Sequence, residues 1–191
     1  AGRDRFGGLD VLVNNAAILD VGAIADLDDD LLTSSITFNQ IAANLGVRAA
    51  IGPMQQRGGG SIVDVASIDA CGGANGVAAG TSCRWGMRGL TKAAALELGC
   101  PGIRVHNVCP GTGSSEREQP FVEKAMEALA DRTERRPDRP QHPFNRHGDV
   151  DDVARAIVWL ASDDSSYVSG IDLTVDGGFT AGKIEPGAPF S

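Results

Sequence analysis

The chain has 191 residues, a length that suits one domain, and 42% of them are hydrophobic, enough for a core. A formal net charge of −8 argues against a nucleic-acid or anionic-membrane surface. No apolar run approaches the roughly 20 residues that span a bilayer, and the short, charged segment Ala1–Phe6 has no signal-peptide pattern. Four cysteines (Cys71, Cys83, Cys100, Cys109) form neither a CxxC pair nor a metal-ligand spacing, so the expectation is reduced thiols in the cytoplasm and no metal. The start at Ala1 rather than Met leaves open that the chain is a piece of a longer one.

Asp10-Val11-Leu12-Val13 is a short apolar run, as expected of a strand buried on both faces, and it ends at Asn14-Asn15. From Asp26 to Met54, apolar residues at Leu31, Leu32, Ile36, Ile41, Leu45 and Ala49 keep close to helical spacing, which predicts one long helix. Gly58-Gly59-Gly60 breaks it. Ser61 to Ala66 reads as a second strand leading to Ser67, followed by a turn rich in glycine (Gly72, Gly73, Gly76). Val77 to Leu98 is a second long helix closed by Gly99. Ile103 to Cys109 is a third strand, stopped by Pro110-Gly111. Phe121 to Arg136 predicts a short amphipathic helix, and Pro137, Pro140 and Pro143 make the stretch after it extended. Asp149 can cap a helix running to about Ser162, with Val153, Ile157 and Leu160 on one face. Ile171, Leu173 and Val175 alternate with Asp172, Thr174 and Asp176 as in a strand, which Gly177-Gly178 ends.

Strand and helix alternate throughout, which argues for an α/β fold, a parallel sheet with helices on both faces. Ligands of such sheets bind at the C-terminal ends of the strands. Asn15, Ser67, the Pro110-Gly111 turn and Ser115 all fall at those ends and so converge on one edge. For any one of them alone, ordinary turn chemistry is the simpler account.

Taken together, the segments resemble the short-chain dehydrogenase/reductase family over nearly the whole chain. Asn14-Asn15-Ala16-Ala17 is similar to the family's NNAG, with Ala17 in place of Gly. Asn39 stands where the family has an active-site Asn on a helix. Ser61 to Ser67 resembles the GSIVNISS strand, with Ser67 on the catalytic serine. Trp85-Gly86-Met87-Arg88-Gly89-Leu90-Thr91 and Ala95-Leu96-Glu97-Leu98 resemble the helix after the catalytic lysine. Gly102 to Gly111 resembles GIRVNSVxPG, and Ser165-Tyr167-Gly170 with Val175-Asp176-Gly177-Gly178 resembles the SSYxTG…VDGG ending. The nearest groups are the bacterial hydroxysteroid dehydrogenases and 3-oxoacyl-carrier-protein reductases.

The resemblance implies hydride transfer between NAD or NADP and an alcohol or ketone, a small-molecule substrate. Asn15, Ala16, Ala17, Arg84, Pro110, Gly111 and Ser115 would sit at the cofactor, and Tyr167 would have a structural role. It also implies a homo-oligomer, dimer or tetramer, built on the two long helices, here about 27–54 and 77–98. Residues 112–145 fall at the substrate-lid position of a single domain spanning 1–191. Two departures stand out. The family opens with a strand, a TGxxxGxG loop and a helix that hold the cofactor pyrophosphate, and none of these is in the 191 residues. The expectation is therefore a partial Rossmann-type doubly wound sheet, strands 4–7 of the family order, lacking the first βαβ half of roughly 80 residues. Cofactor binding is in doubt on that count, and Val11–Val13 would form a bare apolar edge.

The second departure is the YxxxK pair. Thirteen residues on from Ser67 is Gly80, and four more reach Arg84, with Trp85-Gly86 fixing the register. The phenol is thus replaced by Gly80 and the lysine by Arg84, and a glycine donates no side-chain proton. Ser67 and Asn39 remain as polar groups to orient a carbonyl and a water, and neither Ser82 nor Cys83 is at the tyrosine position. His106, His142 and His147 are scattered, Arg132, Arg135, Arg136 and Arg139 read as a solvated lid surface, and Trp85 and Trp159 as packing residues. Three outcomes stay open: an active oxidoreductase, an inactive homologue that keeps ligand binding or oligomerisation, and a fragment without independent function.

Overall fold

The computed structural model describes residues 5–19, 21–111, 143–144, 146 and 148–183. The predicted helix 121–136, all of the lid-like 112–145 except 143–144, the arginine cluster 132–139, His142, His147 and Ser115 lie outside the described residues. Among the described residues four strands, β1 (Val11–Asn14), β2 (Gly60–Val65), β3 (Ile103–Pro110) and β4 (Asp172–Val175), form one parallel sheet in the order β1-β2-β3-β4. The register pairs Val13 with Val63, Ile62 with Val105 and Val108 with Leu173.

Because successive side chains of a strand point to opposite faces, β2 and β3 feed two cores. On one face Ile62, Ile103 and Val105 pack against α2 (Ala42–Gln55) through Val47, Ala50 and Met54, and against α3 (Ala78–Leu98) through Ala94 and Leu98. On the other, Val63 and Val108 pack with Leu160, Val153 and Ile157 of α4 (Val150–Ala161) and with Leu173 and Val175 of β4. Helices on both faces and parallel pairing throughout bear out the α/β reading. Asp149 caps α4 in a full capping box, its side chain and that of Asp152 each accepting from the other's backbone region. Arg104 on β3 reaches under the far end of α4 and donates to the Leu160 carbonyl at 2.8 Å and the Ser162 carbonyl at 3.0 Å, satisfying acceptors that a helix end leaves open.

Several boundaries shift. β1 is Val11–Asn14 rather than starting at Asp10, because the Asn14 backbone pairs opposite Asp64. β3 extends to Pro110, which stands opposite Val175. The long helix expected over 26–54 is three pieces: α1 (Asp29–Ile36, capped by the Asp28 side chain), a π-helical turn (Thr37–Ile41) and α2. The π turn inserts one extra residue into the helical ladder. α2 ends at Gln55, and Gly59, at φ 147°, takes the chain past the Gly102 carbonyl, where a Cβ would come within 2.6 Å of the oxygen. Tyr167 is fully exposed, and Trp85 is half exposed, bracing a loop through Nε1 to the Gly72 carbonyl and stacking under Arg88.

Candidate functional site

The C-terminal ends of β1, β2, β3 and β4 open into a cleft of about 1100 Å³. Asn15, Ala17, Ser67, Arg84, Pro110 and Gly111 all line it, so most of the sequence-chosen residues meet in one place. A smaller cavity of about 350 Å³ adjoins it, and Asn15, Ala17 and Arg84 border both. Ala16 and Asn39 line only the smaller one. Gly80 borders neither, and Ser115 lies outside the described residues.

Ser67 leaves β2 in extended conformation and caps a short 3-10 turn, Ile68–Ala70. Its hydroxyl accepts from the Asp69 backbone N–H at 3.2 Å and donates to Asp69 Oδ2 at 3.1 Å. The same Oδ2 accepts from Arg84 Nη1 at 3.2 Å. Asp69 and Arg84 are mostly buried, with 24% and 11% of their side chains exposed. Residues 67, 69 and 84 therefore form one connected group on the cleft wall. Asp69 was not foreseen from the sequence. The available signal was an acid two residues after the serine in an otherwise small and apolar turn.

Position 80 lies one helical turn before Arg84 on α3, and its space is taken. A Cβ built on Gly80 would sit 2.9 Å from Arg84 Nη1, so a side chain there would require the guanidinium to shift. The neighbouring candidates face elsewhere. Ser82 Oγ donates to the Ala79 carbonyl at 2.7 Å, and the buried Cys83 thiol lies 4.0 Å from Ser35 Oγ.

Asn39 comes from the π turn and binds the segment after β1. Its Oδ1 accepts from the Ile18 N–H at 2.8 Å and its Nδ2 donates to the Ile18 carbonyl at 3.0 Å. Asn14 holds the end of β1 from inside, with Nδ2 2.7 Å from Asp64 Oδ1. Burial pushes the Asp64 carboxyl up to about 6, against the opposing hydrogen bonds from Asn14 and Thr91. On the far side, Gly111 packs so close to Asp176 that a Cβ would meet its Cβ at 2.9 Å. The Cys109 thiol beneath this turn is pushed up to about 12, by burial first and then by Cys71, so it stays protonated at neutral pH and is no nucleophile.

Comparison with known proteins shows the family. A family model described as enoyl-(acyl carrier protein) reductase matches residues 1–180. Trans-4-hydroxycyclohexanecarboxylate dehydrogenase of Sinomonas cyclohexanicum is 38% identical over 180 residues, covering 94% of this chain and 64% of that protein. The chain belongs to the short-chain dehydrogenase/reductase family. The 3-alpha-(or 20-beta)-hydroxysteroid dehydrogenase of Mycobacterium tuberculosis (strain H37Rv) is also 38% identical, over 177 residues, covering 93% of this chain and 63% of that one. Among solved structures, acetoin dehydrogenase YohF from Salmonella typhimurium superposes with a TM-score of 0.80 at 30% identity, covering 96% of this chain and 69% of that chain. The chain thus spans a little under two thirds of the length of these curated short-chain dehydrogenases.

Proposed function

We propose that the chain is the catalytic-cleft part of an NAD(P)-dependent oxidoreductase that interconverts an alicyclic secondary alcohol and its ketone. The observation that carries this reading is the meeting of Asn15, Ser67, Arg84, Pro110 and Gly111 around one cleft at the strand ends. The substrate class follows from relatives whose names specify a hydroxycyclohexanecarboxylate, a hydroxysteroid and a cyclohexadiene diol. The first and third carry hydroxyls on a six-membered carbon ring, and the steroid carries its hydroxyl at ring carbon 3 or on the side chain of the ring system at carbon 20.

A nicotinamide dinucleotide supplies the hydride acceptor when bound. The residues fit one end of it. The cleft exceeds the roughly 300–1,000 Å³ of ordinary small-molecule pockets, and Asn15, Pro110 and Gly111 would border the nicotinamide while Arg84 would offer donors to its ribose. The donors a pyrophosphate needs, a TGxxxGxG loop at a helix N-terminus, are not among the 191 residues. Ser67 would hold the substrate oxygen. Asn39, committed to Ile18, would shape the cleft floor by fixing the Asn15–Ile18 loop rather than by touching substrate. Exposed Phe38, Ile41 and Leu45 on one side and Leu96 on α3 are apolar surface of the kind a homo-oligomer covers, and the four thiols suit the cytoplasm.

Gly80 favours a second reading, a homologue that binds cofactor or ligand without turnover, since the position of the family phenol holds no side chain. Fluorescence titration of the chain with NADH and NADPH, followed by oxidation of trans-4-hydroxycyclohexanecarboxylate with NAD and with NADP, separates the two. Binding with turnover supports the oxidoreductase. Binding without turnover supports the silent homologue. No binding of either nucleotide ends both readings for this chain.

A further inference from the structure

We infer that Asp69, acting through Ser67, is the proton acceptor of this cleft in place of the absent phenol. The inference rests on the oxidoreductase reading above. Ser67 Oγ has one proton and two lone pairs. Its proton is directed to Asp69 Oδ2 at 3.1 Å, and one lone pair takes the Asp69 N–H at 3.2 Å. One lone pair remains, on the side chain of a residue that lines the cleft. A substrate hydroxyl placed there donates to Ser67 Oγ, and the serine hands its own proton to Asp69.

The step balances. In the oxidation the substrate O–H proton moves to Ser67 Oγ as the serine proton moves to Asp69 Oδ2. The C–H bond breaks with its electron pair passing to an oxidised nicotinamide dinucleotide, and the C=O double bond forms. Asp69 then releases its proton to solvent, so that one alcohol and one oxidised cofactor give one ketone, one reduced cofactor and one proton. Arg84 has a defined part in this. Its Nη1, 3.2 Å from the same Oδ2, holds the Asp69 side chain against the serine. Gly80 leaves room beside this contact, since a Cβ at position 80 would come within 2.9 Å of Nη1 and the guanidinium would have to shift. The two departures from the YxxxK pattern are therefore neighbours in space as well as on the helix.

The test uses the full chain, NADH fluorescence for cofactor affinity, trans-4-hydroxycyclohexanecarboxylate as substrate, and thermal melting. Asp69→Asn is expected to lower kcat by about 100-fold or more, with KM, NADH affinity and melting temperature within about twofold or a few degrees of the parent. Asp69→Ala is expected to recover turnover in proportion to added formate, which a merely structural role would not produce. Should the Asp69 variants fold poorly, Ser67→Ala and Ser67→Thr carry the test, the first losing as much as Asp69→Asn and the second keeping most activity. The Ser67→Ala, Asp69→Asn double variant is expected to lose no more than either single, as groups acting in one relay do. A parent that turns over while Asp69→Asn keeps half its rate or more would overturn the relay and leave the oxidoreductase reading standing. Multiplying losses in the double variant, or loss without formate rescue, would overturn it equally. A parent that binds NADH but oxidises nothing removes the relay together with the oxidoreductase reading and leaves the silent homologue, and one that does neither removes all three.

Discussion

Gly80 and Arg84 differ from the family pair in opposite senses, one too small and one too large. Register from Ser67 and Trp85-Gly86 locates both substitutions in the sequence, because helical spacing is rigid. What the register cannot show is where the longer side chain goes. That depends on the 3-10 turn Ile68–Ala70 swinging Asp69 back towards Ser67, and on an arginine folding into a neighbour's empty space. Asp69 was invisible for this reason. The same geometry makes position 80 a poor place for a lone repair. In Gly80→Tyr the new Cβ would meet Arg84 Nη1 at 2.9 Å and disturb its seat beside Asp69, and the added phenol gains no lysine. Gly80→Tyr alone is expected to lower alcohol oxidation by about tenfold or more, whereas Gly80→Tyr with Arg84→Lys exceeds the single variant by a similar factor. Steady-state kcat/KM for the parent and both variants decides this, and a single variant that outperforms the double contradicts it.

Among the elements, the capping box at Asp149 and the buried strands β2 and β3 were legible, because caps and apolar strand residues are local or periodic signals. The break in the helix over 29–55 was less so. The apolar positions Ile36 and Ile41 are five apart rather than three or four, and the π turn Thr37–Ile41 falls there. Its effect is to present Asn39 to the backbone of Ile18, where the amide makes a two-way bridge of 2.8 and 3.0 Å. A helix residue is thereby tied to the loop that follows β1 and borders both cavities. Replacing Asn39 with Ala leaves the Ile18 N–H and C=O without those partners, at a cost of about 1–3 kcal/mol. The expected result is a lower urea midpoint together with faster hydrogen exchange at the Ile18 amide. An unchanged exchange rate at Ile18 would show that the loop is held by something else.

Across the whole molecule the two faces of the sheet carry buried titratable groups of opposite sign. Asp64 lies on the α3 face, where burial pushes its carboxyl from 3.8 up to about 6. His106 lies on the α4 face, where burial first and the Arg104 charge second push its imidazole from 6.5 down to about 4. Neither side chain is exposed to solvent. For Asp64 the unfolded chain ionises first as pH rises, so stability falls between 3.8 and about 6 and stays reduced above that. For His106 the unfolded chain binds a proton that the folded one refuses, so stability rises between about 4 and 6.5 and is complete above that. Each shift corresponds to about 3 kcal/mol at most. The two nearly cancel in the parent, which is expected to show a shallow dependence from these groups across mildly acidic pH. The variants separate them, and each moves towards the residue in the GSIVNISS or GIRVNSVxPG pattern. Asp64→Asn is expected to be more stable than the parent above about pH 6 and to lose stability more steeply on acidification. His106→Asn is expected to lose stability as pH rises from about 4 to about 6, the reverse slope. Urea midpoints of the three chains across this range measure both slopes. Parallel profiles for the two variants would mean that the pH response does not come from this pair. Opposite slopes would place it in the two buried groups that flank the central strands.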